Sequence, residues 1–375
     1  MGASRRSFLR AGFGLGAGAW LAPVPVKAQD AGAAAAGPLP VIHVTDFFHP
    51  HGDPDDHFDL ACAYALAQRG VFELRGVVID YPPDFRAGDP AVVAVAQMNY
   101  LTGQAVPVAI GTSRRLRGKT DDLSDAPPRE TAGVRFIIGQ LRDAPRPVVL
   151  TCVGSAADIV AAALREPVLF REKCAGVHLN SGTAHDNPER PGHLEHNVRL
   201  DPAAYAAMFD LPCPLHWYPC WHITERRESA ASGSFYWLPH REALEGISAG
   251  LANYFAYMLE KSSAPKWLRD MRQMPPAEVW ARVLDGKRGM WSTASQFAAA
   301  GLTVTKGGEI VPSREAGDAA VFRMLPVEVT CTEKGWTTWR TAEKAEGRQM
   351  LSVTDPARYP AAMARAVATL FREFV

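Results

Sequence analysis

Asp46-Phe-Phe-His-Pro-His-Gly-Asp-Pro-Asp-Asp-His-Phe-Asp59 packs five carboxylates, Asp46, Asp53, Asp55, Asp56 and Asp59, into fourteen residues. An apolar run, Val41-Ile-His-Val-Thr45, precedes it, and an apolar-periodic segment over residues 60–68 follows. Like charges this close raise one another's pKa or require a counter-ion. Lys27 is the only Lys or Arg between Arg10 and Arg69. A hard, oxygen-seeking divalent cation is the simplest remedy, so the stretch reads as a metal site between a strand and a helix.

Outward from it, short apolar runs at 41–45, 74–80, 106–110, 148–153, 176–180 and 214–218 alternate with helix-like segments at 56–68, 90–101, 132–141 and 156–164. Pro147-Val-Val-Leu-Thr-Cys-Val153 is apolar almost throughout, as a strand covered on both faces should be. The rhythm predicts an α/β fold: a mostly parallel open sheet with helices on both faces. In such sheets ligands bind beyond the carboxyl ends of the strands, and the acidic stretch follows one of those ends. A last helix is expected over 356–374 and a hairpin turn at 306–311.

The chain has 375 residues, 40 basic and 40 acidic, ample for a large core. A balanced charge gives no electrostatic footprint for nucleic acid, so a polyanionic partner is not expected. Ser4-Arg-Arg-Ser-Phe-Leu-Arg10, a Gly/Ala-rich apolar stretch over 11–21 and Val26-Lys-Ala28 together resemble a twin-arginine export signal. That predicts a signal over 1–28, one domain over 29–375, no membrane association after cleavage, and a periplasmic or secreted location. Six cysteines lack paired metal spacing and read as unpaired thiols, with Cys213 and Cys220 the one pair to test.

Three blocks resemble the inosine-uridine preferring nucleoside hydrolases. Thr45-Asp46, an insertion and Gly52-Asp53-Pro54-Asp55-Asp56 are similar to that family's first aspartate motif. Residues 148–159, VVLTCVGSAADI, resemble its central strand and turn, and Glu195-His-Asn-Val-Arg-Leu-Asp-Pro-Ala-Ala204 resembles its E-F-N run. The resemblance covers about residues 41–219 and implies Ca²⁺ held by Asp46, Asp56, the Val153 carbonyl and Asp318. It further implies Asp46 or Asp55 as the base for an attacking water, and Glu195 and Asn197 on the sugar hydroxyls. The substrate would be a small nucleoside or glycoside, and the chain could form homo-oligomers as family members do.

Departures from the pattern are specific. Gly317 stands where the family has a leaving-group His before its C-terminal aspartate, and Ile79-Asp80-Tyr81 replaces the usual sugar-binding Asn, leaving Asp80 to accept a hydroxyl. His49 and His51 lie in the insertion, and Tyr218, Trp221 or His222 could stack on the leaving group or simply pack in the core. Asp53 and Asp55 read equally as helix caps, and Asp59 as a helix residue rather than a ligand. The alternative to a hydrolase is a sugar- or nucleoside-binding relative, non-catalytic or of altered specificity, that keeps the metal site.

Overall fold

The computed structural model describes residues 37–49, 55–80, 89–185, 194–223, 228–229, 232–344 and 347–374. The export signal, Asp53 and His51 lie outside them. Nine strands form one sheet: β1 (Leu39–Thr45), β2 (Phe72–Ile79), β3 (Val108–Ile110), β4 (Val148–Cys152), β5 (Cys174–Asn180), β6 (Leu215–Tyr218), β7 (Phe322–Cys331), β8 (Thr337–Thr341) and β9 (Arg348–Val353). Their order is β8-β7-β9-β6-β5-β4-β1-β2-β3. From β9 to β3 every neighbouring pair is parallel, and β7 and β8 add an antiparallel edge. The expected mostly parallel sheet is therefore present. Between β1 and β4 the strand order reverses, which places the topological switch point there.

Alternation along β1 divides the core. Val41 faces a layer built from helices Asp55–Gln68, Val92–Thr102, Ala249–Leu259 and Tyr359–Arg372, whereas Ile42 and Val44 face helices Ala132–Asp143, Ala157–Arg165 and Pro202–Met208. The first helix is buried from Asp55 to Leu66, so its sequence is apolar and small-residue-rich all round rather than on one stripe. Among the described residues no helix is long and apolar enough to cross a membrane.

One sheet face carries a transverse polar row. His43, Thr151, His178, His216 and Gln349 stand directly opposite one another on β1, β4, β5, β6 and β9. His43 Nδ1 meets Thr151 Oγ1 at 2.8 Å and the Gln296 amide nitrogen at 3.4 Å. Because that amide can only donate, Nδ1 is the acceptor and the ring is neutral. His178 stacks on His216 with centroids 4.4 Å apart, and its Nδ1 meets the Tyr218 hydroxyl at 2.8 Å. His216 Nδ1 lies 3.1 Å from Gln349 Oε1. Burial pushes His43 and His216 down to about 4, and burial followed by the neighbouring His216 holds His178 well below the usual imidazole range.

All six cysteines are free thiols. Cys213 and Cys220, the pair to test, do not face one another: Cys213 lies against Cys174, while Cys220 points toward Glu195.

Candidate active site at the sheet switch point

The ends of β1, β2 and β4 are level. Thr45 pairs with Ile79 and Val44 with Cys152, so Asp46, Asp80 and Val153 leave the sheet side by side. Backbone bonds continue that alignment, from Asp80 N to Thr45 O and from Val153 N to Val44 O, each at 2.9 Å. The turn after β4 is a glycine because nothing larger fits. A Cβ on Gly154 would stand 2.6 Å from Asp46 Cβ and 3.0 Å from Asp46 N.

A cleft of about 120 Å³ opens at this point, lined by Asp46, Asp55, Asp56, Val153, Asn180, Glu195, His196, Asn197, Cys220, Trp221, Trp291 and Ser292. Residues distant in sequence thus converge where the topology predicts a ligand. Asp46 comes from the end of β1, and Asp55 and Asp56 from the first turn of the first helix, where the helix dipole favours negative charge. All three are buried. His196 Nε2 lies 3.7 Å from Asp46, and Arg288 reaches Asp55 at 3.6 Å.

The donor set suits a hard cation. Oxygen atoms of Asp55, Asp56 and Asp59 lie within 4.8 Å of one another, and Asp46 and the Val153 carbonyl share the cleft with the first two. Carboxylates and a carbonyl in irregular disposition are what Ca²⁺ accepts, and removing several carboxylates from water is costly without such an ion. Asp59 itself is fully buried and turns toward Ser292 and Thr293, whose hydroxyls donate to it. Burial pushes its carboxyl up to about 7 against those two hydrogen bonds.

Glu195 and Asn197 reach the cleft but are largely committed elsewhere. The Glu195 carboxylate caps the short helix His196–Leu200, accepting from Asn197 N at 3.0 Å and Val198 N at 3.4 Å, and from Gly182 N at 2.8 Å. Burial raises its pKa, with those N–H groups opposing. The Asn197 amide donates to the Val153 carbonyl at 2.9 Å and to the Asn180 carbonyl at 3.2 Å. Its own oxygen is the atom left to meet a ligand, and Val153 retains a second lone pair.

Several expectations are corrected. Asp318 sits exposed on a one-turn 3-10 helix, Gly317–Ala319, outside the cleft lining. In its stead the C-terminal half contributes Trp291 and Ser292, between the short strand Lys287–Met290 and the helix Thr293–Ala299. Sequence reading missed this pair; its available signal was a Ser-Thr start before a small-residue helix. His222 faces Trp339, with centroids 6.1 Å apart, because neighbours on a strand point oppositely and it is Trp221 that faces the cleft. Tyr218 is committed to His178. Asp80 is buried behind the cleft and accepts from Ser155 N, so it fastens the turn after β4. His49 stacks on Tyr257 with ring centroids 6.3 Å apart. Asn180 and His196, unremarked as site residues in the sequence, both line the cleft.

No protein-family model matches the chain, and no curated protein matches its sequence. Among solved structures it is similar to the effector protein XOO4466, with a TM-score of 0.52 at 16% identity over 90% of this chain and 94% of that one. It is also similar to the purine-preferring ribonucleoside hydrolase from Gardnerella vaginalis, with a TM-score of 0.50 at 14% identity over 88% and 99%. At such identities the likeness is one of fold, and the fold is nucleoside hydrolase-like.

Proposed function

We propose that the protein is a calcium-dependent hydrolase that cleaves the N-glycosidic bond of a nucleoside or related ribosyl compound. The observation that carries this reading is the convergence of Asp46, Asp55, Asp56 and the Val153 carbonyl on one cleft at the switch point. Asp46 and Asp56 with Val153 are the proposed ligands, and Asp318 is left out because it is exposed and not part of the cleft lining. A cation there would bind sugar hydroxyls and lower the pKa of a water. Asp46 or Asp55 accepts that water's proton, and the remaining carboxylates stabilise the developing positive charge on the sugar. Asn197 Oδ1 and the Glu195 carboxylate orient the hydroxyls. The nucleoside hydrolase-like fold supports the class of reaction.

Incubation of purified protein with Ca²⁺ and a nucleoside panel, following free base and reducing sugar, tests the proposal. Release of both, abolished by a chelator, is expected; no turnover of any nucleoside would sink it. A second reading, a non-catalytic or altered-specificity sugar- or nucleoside-binding relative, is favoured by one observation. Trp291 and Ser292 bring neither an imidazole nor a carboxylate to the C-terminal side of the cleft. Binding of a ribose analogue without turnover would select it.

We further propose export by the twin-arginine route to a periplasmic or secreted location, supported by Arg5, Arg6 and the apolar stretch behind them. Replacing both arginines by lysine should retain the protein in the cytoplasm; unchanged export would refute the route.

A further inference from the structure

Cys174 opens β5 and Cys213 stands two residues before β6, so the two meet at the amino end of neighbouring parallel strands, the opposite end from the cleft. Val177 pairs with Leu215 there, and its N–H donates to the Pro214 carbonyl at 2.9 Å. Adjacent strands run about 4.8 Å apart, inside the about 4.4–6.8 Å between Cα atoms that a disulfide spans. Both cysteines are buried in the same core cluster, and the Cys174 thiol donates to the Cys213 sulfur. Other sulfurs turn to oxygen: Cys152 to the Gly154 and Ser155 carbonyls, Cys331 to the Thr332 carbonyl, and Cys220 to Asn180 and Glu195. Cys62 lies on the opposite face of the sheet. Arg348 fixes the Cys213 side of the contact. Its guanidinium donates to the carbonyls of Phe209, Leu211 and Cys213 at 3.2, 2.7 and 2.9 Å, which sets the turn into β6 and brings a cation beside Cys213.

We propose that Cys174 and Cys213 are a disulfide-forming pair that, once oxidised, staples the segment 174–213 at its base. That segment carries Asn180, Glu195, His196 and Asn197 to the cleft, so the bridge anchors one side of the site from the far end of the sheet. The oxidant is a low-molecular-weight disulfide. The Cys213 thiolate attacks one of its sulfurs and releases a thiol; the Cys174 thiolate then attacks the Cys213 sulfur and releases the second. Two protein thiols lose two protons and two electrons, and the reagent disulfide is reduced to two thiols. The hydrogen bond to Cys213, and then burial, hold the Cys174 thiol well above the ordinary range, which makes it the second to react. An oxidising compartment, such as the proposed export reaches, favours the bridged form. The pairing itself depends on neither the export nor the hydrolase reading.

Thiol counting on the full chain in excess oxidised glutathione tests this. Burial slows exchange without moving its end point, so the buffer is approached both from the native reduced chain and from chain refolded out of urea. After unfolding and alkylation, four of the six thiols should be labelled, and peptide mapping should join Cys174 to Cys213. Six labelled thiols from both starts overturn the inference, as does a bridge between any other two cysteines, Cys213 with Cys220 included. Cys213→Ala should keep its five remaining thiols free, and a new bridge from Cys174 in that variant would show that contact does not select the partner. Should the variant fail to fold, the wild-type map decides alone. The bridged chain should also unfold at a higher urea concentration than the same chain kept in reductant, because the link constrains the unfolded state; equal midpoints overturn the staple.

Discussion

Ser292, at the start of a helix in the C-terminal third, donates its hydroxyl to Asp59 in the first helix, and Thr293 adds a second bond at 3.4 Å. This joins the first helix to the C-terminal third at the cleft. Ser292→Ala removes the stronger donor from a fully buried carboxylate. It should lower unfolding stability by about 1–3 kcal/mol, measured by urea denaturation. A variant as stable as wild type would mean the pair contributes nothing.

Asp56→Asn should abolish stoichiometric calcium by elemental analysis after dialysis, while Asp318→Asn should leave it unchanged. Asp56 is buried in the cleft and Asp318 is exposed outside it. Calcium lost from the Asp318 variant, or kept by the Asp56 variant, would reverse the ligand assignment.

Gly154→Ala forces a methyl against the Asp46 backbone and side chain at 2.6–3.0 Å, with Asp80 Oδ2 at 2.9 Å. Three strand ends meet there, so relief requires β1 or β4 to shift. About 1–3 kcal/mol of destabilisation is expected, as for other overpacked sites, with metal affinity falling alongside it. A thermal midpoint equal to that of wild type would show that the turn yields freely.

The polar row across the sheet predicts acid sensitivity. His43 and His216 stay neutral in the folded protein down to about pH 4, whereas in the unfolded chain they protonate near 6.5. The unfolded state then binds more protons as pH falls below 6.5, so stability drops through that window and the loss is complete below 4. At pH 5 each contributes a loss on the order of 2 kcal/mol. Asp59, near 7, and Asp158 and Asp201, near 6, act with the opposite sign because their raised values favour proton uptake by the folded state. Comparison with a variant therefore isolates the row: His216→Gln should reduce the stability change between pH 7 and pH 5 by about 2 kcal/mol. Identical pH profiles would exclude His216 from the acid response.

Much of the architecture was readable because strands covered on both faces must be apolar throughout, as Val148–Cys152 is, and because carboxylates as crowded as Asp46, Asp55 and Asp56 need a reason. The antiparallel strands β7 and β8 were not. β7 holds Arg323, Pro326 and Glu328 and is partly exposed, so it lacks the apolar signature. The choice between Trp221 and His222 turned on which way a three-residue strand faces, and composition does not encode that when both sides are aromatic. Asp318 was expected from the resemblance although Gly317 replaces the His before it, but the cleft is lined instead by Trp291 and Ser292, just before the helix that begins at Thr293, which bring indole and hydroxyl groups. Hydrogen bonds such as that between Asp59 and Ser292 join residues too far apart in the chain for local pattern to reveal.

The position of β9 has a consequence for synthesis. This last strand slots between β7 and β6, pairing Gln349 with His216 and Met350 with Trp217. Until residue 353 has emerged, β6 has no partner on that side and presents an open row of backbone donors and acceptors beside the apolar Leu215 and Trp217. Nascent or truncated chains ending before β9 would expose a sticky edge able to recruit other copies, and holding that edge apart is a task for chaperones.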